Sequence, residues 1–147
     1  MTAAGLRAAR GFTGRLRRHS GAMGFATLTL TAIDCPEPRR LAEFYAAMLG
    51  GDVKGDPGDE DWIDLYLPDG QRLAFQRAPG LRPPEWPRAD RNSQQLHLDF
   101  DVEDIDAAHE QVLALGARPL DADDRGGERG FRVYADPAGH PFCLCRA

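Results

Sequence analysis

The sequence predicts an α+β domain in which one unit, a strand, a helix and then about three strands, occurs twice. Three observations carry this expectation. Two helical segments end alike, at Leu49-Gly50 and at Leu115-Gly116. Two tight turns, Pro68-Asp69-Gly70 and Pro137-Ala138-Gly139, follow them at matching places. Each helix is preceded by a strand-like segment, so the order of elements repeats as well as the motifs.

The elements follow in chain order. Thr27 to Ile33 is mostly β-branched or aliphatic and reads as a strand, stopped by Asp34-Cys35-Pro36-Glu37-Pro38. Pro38 suits a first helical turn, where its missing N–H would have no partner. Leu41, Phe44, Tyr45, Met48 and Leu49 then recur at helical spacing, and Gly50-Gly51 ends the helix. A short strand is expected near Val53, a longer one from Trp62 to Leu67, and a hairpin partner from Arg72 to Arg77. In the second half Leu96, Leu98, Phe100 and Val102 alternate with Gln95, His97, Asp99 and Asp101, the pattern of a half-buried strand. Asp104 is placed to cap a helix carrying Ile105, Ala108, Val112 and Leu115, ended by Gly116. Phe131 to Tyr134 and Pro141 to Cys145 form a closing hairpin. Leu41, Phe44, Leu96, Leu98, Phe100, Val112 and Phe142 are the expected core.

Between the halves, Ala78 to Ser93 carries Pro79, Pro83, Pro84 and Pro87 around Trp86, which favours an extended crossing. Asp121 to Gly130 is acidic and glycine-rich and reads as a mobile loop. The expected organisation is a basic tail at 1–22 and one domain at 23–147. That domain divides into module one at 25–78, a linker at 79–94 and module two at 95–147.

Charge and composition narrow the function. The chain has 147 residues, 42% hydrophobic and 28% charged, as in an ordinary globular protein. A net charge of −5 argues against nucleic acid, whose phosphates it would repel. The charge is uneven: residues 1–22 hold five arginines and no acid, leaving the remainder at −10. A basic, acid-poor start is compatible with a transit peptide or a dispensable tail. No apolar stretch reaches the roughly 18 residues needed to cross a bilayer. The three cysteines, Cys35, Cys143 and Cys145, make neither a disulfide framework nor a CxxC metal pair, which points to a reducing, cytoplasmic setting.

The repeat resembles the vicinal oxygen chelate superfamily of glyoxalases, bleomycin-resistance proteins and extradiol dioxygenases. The residues that carry the resemblance are Ile33-Asp34-Cys35-Pro36, Phe44-Tyr45, His97-Leu98-Asp99-Phe100 and Asp136-Pro137-Ala138-Gly139-His140-Pro141-Phe142. The Trp-Pro linker before His-Leu-Asp is most similar to an uncharacterised glyoxalase-like branch of actinobacteria. The resemblance implies two βαβββ modules side by side, forming a curved mixed sheet with a central cup and the helices outside. In metal-using relatives the cup holds one divalent ion, bound from the first and last strands of each module by His or Gln/Glu, Glu, His and Glu.

Carried over position by position, that ligand set thins out. His97 falls on a ligand position. The matching place in module one is Leu30, and the last strands offer Ala74 and Cys143. Gln76 and Cys145 lie two residues further along the same strand faces. The resemblance therefore predicts no standard metal cofactor. The alternative is a soft divalent ion such as zinc on His97 and Cys143, since imidazole and thiolate both suit it. Without metal, His97 is either a hydrogen-bonded pocket histidine or a catalytic acid/base, as an unperturbed pKa of about 6.5 allows.

If His97 faces the cup, the expected ligand-binding residues are Asp34, Trp62, Asp64, Tyr66, Gln76, His97 and Asp99. An aromatic wall with a few acids suits a modest organic ligand, or a cation of the kind that resistance-type relatives hold. Trp62 and Tyr66 equally suit core filling, and Asp34 and Asp99 equally suit loop hydrogen bonding. Two functions stay open: a metal-independent small-molecule binding protein, and a metal-dependent lyase, isomerase or dioxygenase. A homodimer is expected, paired side by side or by exchange of modules through the linker.

Overall fold

The computed structural model describes residues 25–147; the segment 1–22 read as a basic tail lies outside the described residues. Module one runs β1 (Thr31–Cys35), α1 (Pro38–Leu49), β2 (Asp52–Lys54), β3 (Trp62–Tyr66) and β4 (Arg72–Arg77). Module two runs β5 (Leu98–Val102), α2 (Ile105–Ala114), β6 (Arg118–Asp121), β7 (Phe131–Ala135) and β8 (Pro141–Arg146). The βαβββ unit is present twice. The eight strands form two four-stranded mixed sheets, in the orders β1-β4-β3-β2 and β5-β8-β7-β6, rather than one continuous sheet. In each, the first strand runs parallel to the last, and the remaining pairs are antiparallel. A parallel pair needs a crossover, and the helix following each first strand opens that connection.

Local chemistry sets the ends of these elements. Pro38 opens α1 with no side-chain cap, and Gly50 at φ 74° closes it with its N–H on the Ala46 carbonyl at 2.8 Å. Asp104 caps α2 by accepting from the backbone N–H groups of Asp106 and Ala107, both at 3.0 Å. Gly139 has φ 96° and lies so close to Pro83 of the linker that a Cβ would collide with the proline ring. The closing turn of module two is thereby seated against the crossing segment.

One core serves both modules. From module one it takes Ile33, Leu41, Phe44, Tyr45, Ile63, Leu65 and Phe75; from module two, Ile105, Val112, Tyr134, Phe142 and Leu144. Each fully buried large apolar side chain contributes about 1.5–3 kcal/mol. Helix α1 is the hinge of the packing. Phe44 meets Phe142 edge-on at 6.0 Å, and Tyr45 stacks on Phe75 at 5.7 Å while touching Phe100 at 6.1 Å. The Tyr45 hydroxyl donates to Asp136 Oδ2 at 2.8 Å, joining the first helix to the last turn. Asp136 Oδ1 accepts from the N–H groups of Ala138 and His140. Burial raises the Asp136 carboxyl above its ordinary pKa, and burial beside that carboxyl raises the Tyr45 phenol well above its own.

Three expectations need correction. The first strand starts at Thr31 and runs on to Cys35, because β4 offers partners only for residues 31–35. Leu96 is 61% exposed: it precedes the start of β5 at Leu98, so the alternation that half-buries Leu98 and Phe100 does not reach it. The segment from Asp121 to Gly130 is tied down. It holds a short 3-10 turn at Arg125–Gly127, and its Asp124 is clamped by Arg132 at 2.9 Å and Arg146 at 3.1 Å.

Candidate functional site

Strand alternation sorts the polar residues onto the sheet faces turned away from the core. On β5, Leu98, Phe100 and Val102 are half-buried against the core, while Asp99 and Asp101 are exposed. On β3 and β4, Ile63, Leu65, Leu73 and Phe75 enter the core, leaving Trp62, Asp64, Tyr66, Arg72, Ala74 and Gln76 on the opposite face. The seven expected ligand-binding residues fall into separate groups.

The first group lies in module two. His97, just before β5, places Nε2 3.3 Å from Asp99 Oδ1. Asp99 pairs in register with Cys143 on β8. One donor atom each from His97, Asp99 and Cys143 lies within 4.8 Å of the others. Burial, with the Asp99 carboxylate alongside, pushes the Cys143 thiol up to about 12. At neutral pH it is a thiol and a poor nucleophile. A metal would have to displace that proton, which zinc-type ions do readily. The nitrogen, oxygen and sulfur donors therefore fit a single zinc-like ion with one open position. They do not fit the four-ligand arrangement across both modules, because Leu30 and Ala74 carry no donor. Cys145, half-buried on β8, stays outside the three-donor group.

The second group lies on module one. Trp62 Nε1 donates to Asp64 Oδ1 at 3.2 Å, and Arg72 Nη1 donates to the Tyr66 hydroxyl at 3.1 Å. Gln76 is half-buried on the same face, in register with Trp62 on β3 and Asp34 on β1. The sequence assigns Arg72 no role beyond opening a strand, and only the structure shows how deeply it is enclosed.

The third group lines a cavity of about 340 Å³ between the two modules and beneath the linker. Asp34 and His97, far apart in sequence, both line it. Arg82, Asn92, Leu96 and His140 join them, none of them foreseen as site residues. His140 Nε2 donates to the Asp34 backbone carbonyl at 2.6 Å, which requires the proton on that nitrogen. Asn92 is held by a bond from Nδ2 to the Pro83 carbonyl at 2.8 Å. Nothing local in the sequence brings a linker and a turn over β1; only tertiary packing does so.

Comparison with known proteins agrees with this architecture. No curated protein sequence matches the chain. Among solved structures, FosX, a fosfomycin resistance protein from Listeria monocytogenes, superposes with a TM-score of 0.62 at 13% identity, covering 84% of this chain and 95% of that one. A glyoxalase family protein from Enterococcus faecalis gives 0.56 at 27% identity, with 84% and 99% covered. The oxidase ChaP-H2 gives 0.57 at 20% identity, with 84% and 95% covered. A family model described as a glyoxalase-like domain matches residues 31–145, from the first strand through the last. With both modules inside that match, the chain belongs to the glyoxalase-like domain family, of vicinal oxygen chelate fold.

Proposed function

We propose that the protein binds a small organic molecule in the cavity between its modules, with His97 as the principal polar anchor. The observation that carries this reading is the cavity itself. Its volume of about 340 Å³ falls in the range of small-molecule sites, and its lining mixes Ala32, Leu81 and Leu96 with Asp34, Asn92 and His97. An apolar wall with a few convergent polar groups recognises a molecule of mixed character. The proposal includes no standard metal, since two of the four family ligand positions are aliphatic.

A screen of small organic compounds by thermal shift, followed by calorimetry, tests it. A bound compound should lose about 1–3 kcal/mol of affinity in His97→Ala, the cost of one buried hydrogen-bond partner. A bound compound that His97→Ala leaves unaffected would overturn the assignment.

The second reading is an enzyme carrying a zinc-like ion on His97, Asp99 and Cys143, and the convergence of those three donors favours it. There the ion would supply Lewis acidity, while the module-two face would hold and orient the substrate. Elemental analysis of protein purified without added metal decides between the readings. Near-stoichiometric metal that disappears in both His97→Ala and Cys143→Ser puts the enzyme first. We further propose a homodimer in a reducing compartment, checked by light scattering. Among the described residues no helix is long and apolar enough to cross a membrane.

A further inference from the structure

We infer that the face of module one carries a second binding site, separate from the inter-module cavity, in which Arg72 receives an oxyanion of a small aromatic acid. Arg72 lies on β4 with its side chain only 8% exposed. Among the described residues, only Nη1 of its three nitrogens has a hydrogen-bond partner, the Tyr66 hydroxyl at 3.1 Å. Nε and Nη2 are buried with none. These two nitrogens form one edge of the guanidinium, the edge that grips a carboxylate or phosphoryl group through two parallel hydrogen bonds. A buried cation with unmade hydrogen bonds is costly, and such a group in a native protein calls for a partner.

Asp64 does not fill that role. Its Oδ1 stands 3.8 Å from Arg72 Nε, an ion-pair separation too long for a hydrogen bond, and it accepts instead from Trp62 Nε1 at 3.2 Å. Lys54 sits opposite Asp64 in the strand register, with its ammonium 4.9 Å from the centre of the Tyr66 ring. Asp52, opposite Tyr66 in the same register, and Asp64 balance Lys54 and Arg72 on this face, so the unmade guanidinium edge and not net charge is what draws an anion there. Trp62 and Tyr66 stand on either side of Asp64 along β3, so an anion reaching Arg72 would bring its carbon skeleton against aromatic surface. Aromatic side chains with a paired oxyanion anchor select a planar acid over its neutral analogue. The cavity beneath the linker contains none of Lys54, Trp62, Asp64, Tyr66 or Arg72, so the two sites stand or fall separately.

Calorimetry with benzoate, phenylphosphonate and neutral benzamide on the full-length protein tests the inference. At least one of the two acids should bind ten or more times more tightly than benzamide, and whichever binds identifies the source as carboxylate or phosphoryl, on the order of the discrimination expected from a charge-assisted bidentate pair. Arg72→Met should remove that preference, and Arg72→Lys should restore only part of it, because an ammonium lacks the fork. Asp64→Asn should tighten acid binding by removing the competing carboxylate. Acids no tighter than benzamide in the native protein would overturn the site, as would an Arg72→Met variant with a native melting curve and unchanged acid binding. Should Arg72→Met fail to fold, Asp64→Asn decides, since unchanged or weaker acid binding there removes the site. His97→Ala should leave acid binding untouched, so a failure here is distinguishable from a failure at the cavity.

Discussion

Helices α1 and α2 occupy equivalent places in two copies of one topology, yet they carry different loads. Helix α1 buries Leu41, Ala42, Phe44 and Tyr45, and its aromatic rings reach Phe100 and Phe142 in the other module. Helix α2 buries only Ile105 and Val112, and its further ties, His109 Nδ1 to the Tyr134 hydroxyl at 2.8 Å and Arg132 Nη2 to Asp106 Oδ1 at 2.6 Å, stay within its own module. Repetition of a fold therefore does not repeat its energetics. One helix cements the halves together, while the other closes its own half.

Five measurements break or sharpen that contrast. The largest effect is expected from Phe142→Ala, which empties the place where Phe44, Phe100 and Tyr134 converge. It should cost about 3–5 kcal/mol in urea unfolding, the usual range for a buried aromatic truncated to alanine. Next, Leu41→Ala on α1 should cost about 2–5 kcal/mol, against about 1–2 kcal/mol for Val112→Ala on α2, which loses two methyl groups. Equal costs would erase the asymmetry between the helices.

Tyr45→Phe follows at about 1–3 kcal/mol, because Asp136 is left buried without that donor. The pH dependence sharpens the test. The folded-state pKa of Asp136 is raised, so its favourable contribution is complete below the unfolded value of about 3.9 and is lost as pH rises through the folded value. Relative to wild type, Asp136→Asn should therefore gain ground between acid and neutral pH. Asp124, in module two, has the opposite sign. Burial pushes its carboxyl up, but hydrogen bonds from Arg132 and Arg146 outweigh that and hold it below the ordinary range. Its contribution is present above the unfolded pKa and lost as pH falls through the depressed one. Asp124→Asn should accordingly give the smallest change, a flattening of the acid limb of the stability curve, followed by circular dichroism.

Much of the architecture was legible because it depends on short-range patterns. The helix spacing from Leu41 to Leu49, the Asp104 cap and the Asp136–Gly139 turn each announce themselves within a few residues. Leu96 misled for the same reason: alternation continues across a strand boundary that only pairing with β8 defines. In the site, His97 and Asp99 were readable as near neighbours on one face, and family position suggested Cys143. The partnership of Asp34 with His140, and the enclosure of Arg72, depend on side chains brought together by the fold. No periodicity encodes them.

The bond from Tyr45 to Asp136 has a consequence for assembly. It spans 91 positions and joins the first helix of one half to the final turn of the other. Such a bond specifies which halves meet, but not that they belong to the same polypeptide. Two chains that traded second modules through the proline-rich crossing would recreate it, together with the ring contacts of Phe44 and Phe142, atom for atom. The choice between a self-contained chain and an interlocked pair then rests on the stiffness of residues 79–94 and on protein concentration, and the core itself is indifferent to the outcome.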